Sequence, residues 1–197
     1  MNELLLPCAG FVSGAIPCSY LAARWLSGKD VRREGSGNVG ATNVFRVAGR
    51  TAGIAAAAGD ILKSLLPVLA ARMNGSPPPW QAATAAAVII GHCYSPFLKF
   101  RGGKGVASTA TVSLVLCWPA ALAFAVVWLG VFFTRGYSSL ASILASFALP
   151  LISALVRADR STSAFFCLVS LFVLFKHRAN VRRLLDGTES RMRKKGD

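Results

Sequence analysis

Apolar residues fall into seven long runs along the chain, separated by shorter segments rich in glycine and basic residues. Several runs exceed about 17 residues without a charged side chain, and a helix needs about 20 residues to cross a bilayer. The pattern predicts an all-α integral membrane protein with seven transmembrane helices. The predicted spans are 4–25, 51–71, 80–98, 106–118, 119–134, 137–156 and 162–175.

The fourth and fifth spans are short, and one long tilted helix over 106–133 is an alternative. Pro119 does not decide between them, because proline can kink a helix without ending it. The basic residues favour two helices. With seven spans and the N-terminus outside, all but four of the 22 Lys and Arg residues lie in cytoplasmic segments, as the positive-inside rule requires. Six spans would place the basic C-terminal tail outside. We therefore predict an outside N-terminus and a cytoplasmic C-terminus.

Composition agrees with a membrane protein, since 54% of the 197 residues are hydrophobic and only 15% are charged. A net charge of +14 is also typical of nucleic-acid-binding proteins. Basic cytoplasmic loops explain it better, because they orient the helices and contact anionic lipid headgroups. We predict membrane lipids, and no nucleic acid, as partners. The five cysteines have no C-x-x-C spacing and are interpreted as small apolar residues.

The first of three unusual cytoplasmic segments covers residues 35–46. Gly35, Gly37 and Gly40 match the G-x-G-x-x-G spacing, but a dinucleotide site needs a βαβ unit that this segment cannot supply. Glycine-rich backbone can still direct amides at an anion, and Arg46 adds a cation. An ordinary turn is the alternative.

The second segment, 91–106, contains Gly102, Gly103, Lys104 and Gly105 at the start of the fourth span. It is not a Walker A loop, because glycine follows Lys104 where Ser or Thr is required, so ATP is not predicted. Backbone donors and a lysine at a helix N-terminus favour phosphate. The alternative is a turn that is basic only for topological reasons.

The third segment, 176–189, is predicted to continue the last span as a helix. His177 and Asn180 are three residues apart and would share a face, while Leu184 and Leu185 would lie along the membrane surface. A solvated basic tail is the alternative, and it is our prediction for 190–197.

Asp60 and Lys63 stand three residues apart within the second span. Ionisable groups inside a membrane are costly and usually pair with each other. A mutual ion pair that fixes helix packing is predicted, with direct catalysis by Asp60 as the alternative.

The three segments resemble the signatures of the PlsY family, membrane acyltransferases of bacteria. The family pattern S-G-N-x-G-A-T-N is met at residues 36–43, G-H with F-x-G-G-K-G-V-A at 91–92 and 100–107, and H-R-x-N with L-L-x-G-T-E across 177–189. The resemblance spans nearly the whole chain. It implies one seven-helix acyltransferase domain over 1–197, in the bacterial inner membrane, with its active site on the cytoplasmic side.

The resemblance also implies a reaction, the transfer of an acyl group from acyl phosphate to the sn-1 hydroxyl of glycerol 3-phosphate. Lysophosphatidic acid and inorganic phosphate would be the products. The implied catalytic residues are Ser36, Arg46, Lys104, His177 and Asn180. The implied substrate-binding residues are Gly37, Asn38, Gly40, Thr42, Asn43, His92, Gly102, Gly103, Gly105, Ser139 and Ser142.

The chain offers no convincing serine–histidine–carboxylate triad and no His-x-x-x-x-Asp pair. Direct attack by the substrate hydroxyl is expected, with the proton passing to a substrate phosphate or to a histidine; we favour the phosphate, whose second pKa is about 6. No cofactor or metal site is predicted. A small organic-phosphate transporter is the alternative function, although it would need a polar route across the whole bilayer.

Overall fold

A computed structural model describes residues 3–192, and this part of the chain forms nine α-helices and one 3₁₀ turn. The predicted all-helical fold is therefore confirmed. The helices are α1 (Leu5–Ala15), α2 (Cys18–Ser27), α3 (Ala41–Met73), α4 (Pro78–Cys93), α5 (Val106–Leu116), α6 (Trp118–Arg135), α7 (Ser138–Leu155), α8 (Arg160–Lys176) and α9 (Arg178–Leu185), and the 3₁₀ turn is Pro96–Leu98.

Each of the seven predicted spans overlaps helix, although α4 ends at Cys93, five residues before the predicted end of the third span at 98. Within the described residues, four helical stretches are long and apolar enough to cross a bilayer: α1 with α2, then α3, α6 and α7. A fifth is added if α8 and α9, which meet at a 59° bend, form one span. Because α4 has 16 residues and α5 has 11, the number of seven spans stays a prediction. The orientation in the membrane also stays a prediction.

The first span is helical but broken at Pro17, which the hydrophobic pattern did not predict. Proline lacks the N–H that would continue the ladder, so nearby carbonyls lose their helical partners. Two side chains replace them: Lys63 donates to the Ile16 oxygen at 2.7 Å, and Ser95 donates to the Ala15 oxygen at 2.5 Å. The break is therefore stabilised by buried polar contacts.

Helix α3 begins at Ala41, ten residues before the predicted start of the second span at 51. It contains a kink at Gly49, whose φ of 87° lies in a region that favours glycine. The short part before the kink carries the second half of the first segment. Residues 41–46 of this cytoplasmic segment are therefore helical, which the sequence pattern did not predict.

The fourth and fifth spans form separate helices. Cys117 is extended, with a φ of −158°, and lies between the end of α5 and the start of α6. Within the described residues the alternative of one continuous helix over 106–133 is therefore wrong. The break precedes Pro119 by two residues, as expected for a proline in the first turn of a new helix.

The chain divides into two compact units, one ending at Val115 and the other beginning at Leu116. In the first unit α1 packs closely on α4 through glycines. A Cβ at Gly14 would overlap the Val88 carbonyl, and one at Gly91 would overlap the Phe11 carbonyl. Gly10 and Gly14 form a G-x-x-x-G pair, a common close-packing motif of membrane helices. In the second unit α7 packs against both α6 and α8.

Of the predicted basic tail at 190–197, residues 193–197 lie outside the described residues.

Candidate active site

Asn43 organises the loop that precedes α3. Its buried side chain donates to the Val31 oxygen at 3.0 Å and the Glu34 oxygen at 3.1 Å, and it accepts from the Ser36 amide at 2.9 Å. These bonds occupy both ends of the carboxamide. Asn43 therefore holds the loop in place.

Glycine is required where this loop turns. Gly35 has a φ of 62°, and a Cβ there would overlap the Asn43 side-chain oxygen. Gly37 also lies in the left-handed region, with a φ of 68°. The turn leaves Ser36 and Gly37 exposed, and the chain reaches Gly40 just before α3 begins.

Charged residues brace the start of the same loop. Arg32 forms a two-pronged contact with Asp30, at 2.9 and 2.6 Å, and its guanidinium lies 4.6 Å from the centre of the Tyr20 ring. The hydrogen bonds from Arg32 lower the pKa of Asp30 to about 2. The pair therefore stays ionised throughout the physiological range.

The predicted residues of the first segment differ in exposure. Arg46 is exposed on the short helical part of α3, while Asn38, Gly40 and Thr42 are half-buried. Exposed Arg46 and Ser36 are thus accessible to a ligand, whereas buried Asn43 is committed to the loop.

The Gly-Gly-Lys-Gly turn of the second segment is attached to the end of α4. The Gly102 amide donates to the Cys93 oxygen and the Gly103 amide donates to the His92 oxygen, both at 3.2 Å. Backbone donors for phosphate were expected at this turn, but the amides of Gly102 and Gly103 are already occupied. Gly105, with a φ of 80°, leads into α5 at Val106, and Lys104 beside it is half-buried.

The first two segments meet at Gly103. A Cβ at this position would come within 2.9 Å of the Val39 carbonyl oxygen and would overlap the His92 ring. Leu98, from the second segment, packs in the same buried cluster as Val39 and Val44 of the first. The structure thus brings the Ser36–Asn43 region and the turn that carries Lys104 together in the first unit.

The predicted Asp60–Lys63 ion pair is confirmed. Lys63 Nζ lies 2.9 Å from Asp60 Oδ1, and both side chains are buried. The other Asp60 oxygen accepts a 2.6 Å hydrogen bond from Ser19, and His92 Nδ1 lies 3.8 Å from Asp60 Oδ1. The pair is therefore part of a larger polar cluster.

In the second unit, the third segment turns sharply at His177. The residue ends α8 and begins α9, and its Nδ1 lies 2.8 Å from the Val173 oxygen. Because a carbonyl only accepts, Nδ1 carries the proton in this contact. His177 and Asn180 are 3% and 5% exposed, in agreement with a shared face. The predicted helix is present, but it is bent.

Glu189 connects three side chains in this unit. Its Oε1 accepts from Asn180 at 2.7 Å and from Ser139 at 2.6 Å, and its Oε2 accepts from Arg183 at 2.7 Å. Burial alone raises the pKa of Glu189, but the three hydrogen bonds outweigh it and lower that pKa below its ordinary value. The carboxylate is therefore ionised and fixes Ser139 and Asn180 together.

Ser142 has a different environment. Its hydroxyl donates to the Ser138 oxygen at 2.7 Å and accepts from the Trp128 ring at 3.1 Å. It lies one helical turn from Ser139 on α7 but outside the Glu189 contacts.

A family model described as glycerol-3-phosphate acyltransferase matches residues 4–187 of this chain. The chain belongs to the glycerol-3-phosphate acyltransferase family. The resemblance to PlsY is thereby confirmed, and this chain is a membrane acyltransferase that uses glycerol 3-phosphate.

Individual relatives match this chain over almost its whole length. A glycerol-3-phosphate acyltransferase of Geobacter sulfurreducens is 45% identical over 98% of this chain and 99% of its own. A crystal structure of PlsY, an integral membrane glycerol 3-phosphate acyltransferase, in its glycerol 3-phosphate form has a TM-score of 0.93, at 34% identity and 98% and 96% coverage. The lysophosphatidic acid form has a TM-score of 0.89, at 33% identity and 97% and 95% coverage.

Two polar residues of the acyltransferase were not selected from the sequence. Glu189 belongs to the L-L-x-G-T-E signature, so the motif could have indicated this residue. Its hydrogen-bond partners on α7 and α9 could not be predicted from the sequence. Ser19 follows the Pro17 break and bonds Asp60, forty-one positions away. Such long-range contacts leave no periodic pattern in a sequence.

Proposed function

We propose that the enzyme takes its acyl group from acyl phosphate and places it on the sn-1 hydroxyl of glycerol 3-phosphate. The hydroxyl oxygen bonds to the acyl carbonyl carbon, the bond from that carbon to the phosphate oxygen breaks, and lysophosphatidic acid and inorganic phosphate leave. The two solved PlsY relatives, in glycerol 3-phosphate and lysophosphatidic acid forms, support the acceptor and the product.

The observation that carries this proposal is the contact of the first two segments at Gly103. It places the turn bearing Lys104 against a loop whose shape Asn43 fixes with three hydrogen bonds. Two anionic substrates repel each other, so a site that joins them needs cations held in place before they arrive. Lys104 and exposed Arg46 are suitable cations in this unit.

The third segment supplies the remaining proposed contacts. We assign phosphate binding to His177 and Asn180 together with Arg46 and Lys104. Glu189 orients Asn180 and Ser139 by accepting from both.

The proposed proton acceptor is a phosphate oxygen of the substrate, whose second pKa is about 6. His177 suits a binding role, since Nδ1 is held on the Val173 carbonyl.

The enzyme is proposed to span the bacterial inner membrane seven times, with its N-terminus outside and its site in the cytoplasm. Support comes from the basic residues, which concentrate in the segments assigned to the cytoplasm. The phosphate groups of both substrates would then bind on the cytoplasmic side of the membrane.

Purified enzyme incubated with glycerol 3-phosphate and either palmitoyl phosphate or palmitoyl-CoA tests the proposal. We expect lysophosphatidic acid and one equivalent of inorganic phosphate from palmitoyl phosphate alone. Product from palmitoyl-CoA alone would refute the proposed donor. Counterflow of labelled glycerol 3-phosphate in proteoliposomes without acyl transfer would favour the transporter instead.

A further inference from the structure

Asp60 has more than one buried polar partner. Asp60 is 1% exposed and contacts Lys63 at 2.9 Å and Ser19 at 2.6 Å. Lys63 in turn donates to the Ile16 carbonyl at the Pro17 break. Lys63 and Ser19 thus compensate the charge of Asp60 within the cluster.

Stability alone is a weak reason for such a pair. Taking two charges out of water costs about as much as their attraction returns, and apolar residues of similar volume often serve as well. The informative feature is therefore what the cluster touches beyond the pair itself.

His92 connects the cluster to the second segment. Its Nδ1 lies 3.8 Å from Asp60 Oδ1, and its Nε2 borders Gly103, where a Cβ would overlap the ring. The backbone oxygen of His92 accepts the Gly103 amide at 3.2 Å. The imidazole is thus placed between the Asp60 carboxylate and the turn that carries Lys104.

Packing holds this ring on one side, where Gly103 leaves no room for a Cβ. A cavity at the Pro17 break is lined by Asp60, Lys63, His92 and Gly103 among other residues. A side chain beside open space is not held by close contact on that side. The Asp60 carboxylate lies 3.8 Å from Nδ1 of this ring, so it is well placed to influence the ring position.

We propose that Asp60 is a positioning residue for the phosphate-binding turn, acting through His92 on Gly103 and hence on Lys104. The inference rests on the proposed role of Lys104 in holding a substrate phosphate. Asp60 itself touches no substrate. Its loss should weaken glycerol 3-phosphate binding more than it slows turnover.

The test compares KM for glycerol 3-phosphate and kcat in the double variant Asp60→Asn with Lys63→Gln, which removes both charges and leaves neither unpaired. We expect KM to rise about tenfold, as for other supporting contacts one step removed from a ligand, with a small change in kcat. The matched control is Ser64→Ala. This change perturbs buried packing next to Lys63, and the hydrogen bond that it removes goes to Ser108 and not to His92. It should leave KM unchanged.

A second variant keeps the proposal testable if the first does not fold. Gly103→Ala should also raise KM about tenfold by displacing the ring, while Gly130→Ala, where a Cβ meets nothing within 4 Å, should not. Adding Gly103→Ala to the Asp60 and Lys63 changes should raise KM no further. Independent effects that multiply, or an unchanged KM in Gly103→Ala or in the folded charge-free variant, would overturn the proposal.

Whichever acyl donor supports turnover of the unmodified enzyme is used at saturation. Failure of palmitoyl phosphate as a donor would refute that part of the proposed function and still leave the KM comparison informative. The two failures are therefore distinguishable.

Discussion

The amide oxygen of Asn43 accepts a 2.9 Å hydrogen bond from the backbone nitrogen of Ser36. The same side chain donates to the carbonyls of Val31 and Glu34, so one buried carboxamide fixes the chain over residues 31–36. A loop held in this way does not have to be ordered by a ligand, which lowers the entropic cost of binding.

Asn43→Ala should therefore disorder the loop. Removing three hydrogen bonds and leaving buried partners unsatisfied should lower the free energy of unfolding by about 2 kcal/mol and activity by at least about tenfold. Hydrogen exchange at the Ser36 amide reports the loop directly. Asn74→Ala, an exposed asparagine at the opposite end of α3, should change neither quantity. Full protection of Ser36 in Asn43→Ala would contradict the account.

Glu189 predicts a pH-dependent contribution to stability. A carboxylate whose pKa is lowered in the folded state stabilises fully above its ordinary pKa of 4.5 and loses this contribution as pH falls through the lower folded value. Glu189→Gln should lower Tm at pH 7, and the difference from the unmodified enzyme should shrink below pH 4.5. Asp186→Asn, an exposed carboxylate 3.9 Å from Arg182, should have little effect. An equal Tm for Glu189→Gln at pH 7 would refute the role.

Lys104→Met should nearly abolish acyl transfer while the protein stays folded in detergent. A cation aimed at a substrate phosphate contributes about 100-fold or more to turnover, and the side chain is only half-buried, so packing loses little. Lys99→Met is the matched control, since this lysine is exposed in the same segment. Retained turnover in Lys104→Met would remove this lysine from the site.

His177→Ala should reduce kcat/KM by at least about tenfold through weaker phosphate binding and loss of the bend at the start of α9. If a substrate phosphate accepts the proton, the low-pH limb of kcat should keep an apparent pKa of about 6 in this variant. The measurement is the pH profile of kcat with saturating glycerol 3-phosphate. Disappearance of that limb would identify the histidine as the base.

The sequence predicted those features that depend on local pattern. Asp60 and Lys63 pair because residues three apart share a helix face, and the hydrophobic runs predicted an all-helical fold. Positive charge and glycine singled out the first two segments, and the structure brings these segments into contact at Val39 and Gly103.

What the sequence missed depends on contacts between distant residues. Gly102 and Gly103 donate to carbonyls at the end of α4, so their amides are occupied, which the turn sequence alone does not reveal. The break at Pro17 is stabilised by Lys63 and Ser95 from other helices. Periodicity reports which face is apolar, but it carries no information about these partners.

Accessibility of single cysteines tests the central claim that all three segments face one side of the membrane. In a cysteine-free enzyme, cysteine would be placed at exposed Ser36, Lys99 or Arg178, and at Asn74 as the control. In sealed vesicles of known orientation, the first three should react with an impermeant maleimide only from the cytoplasmic side, and position 74 only from the outside. Reaction of the first three from opposite sides would contradict the account, because no common site could then form.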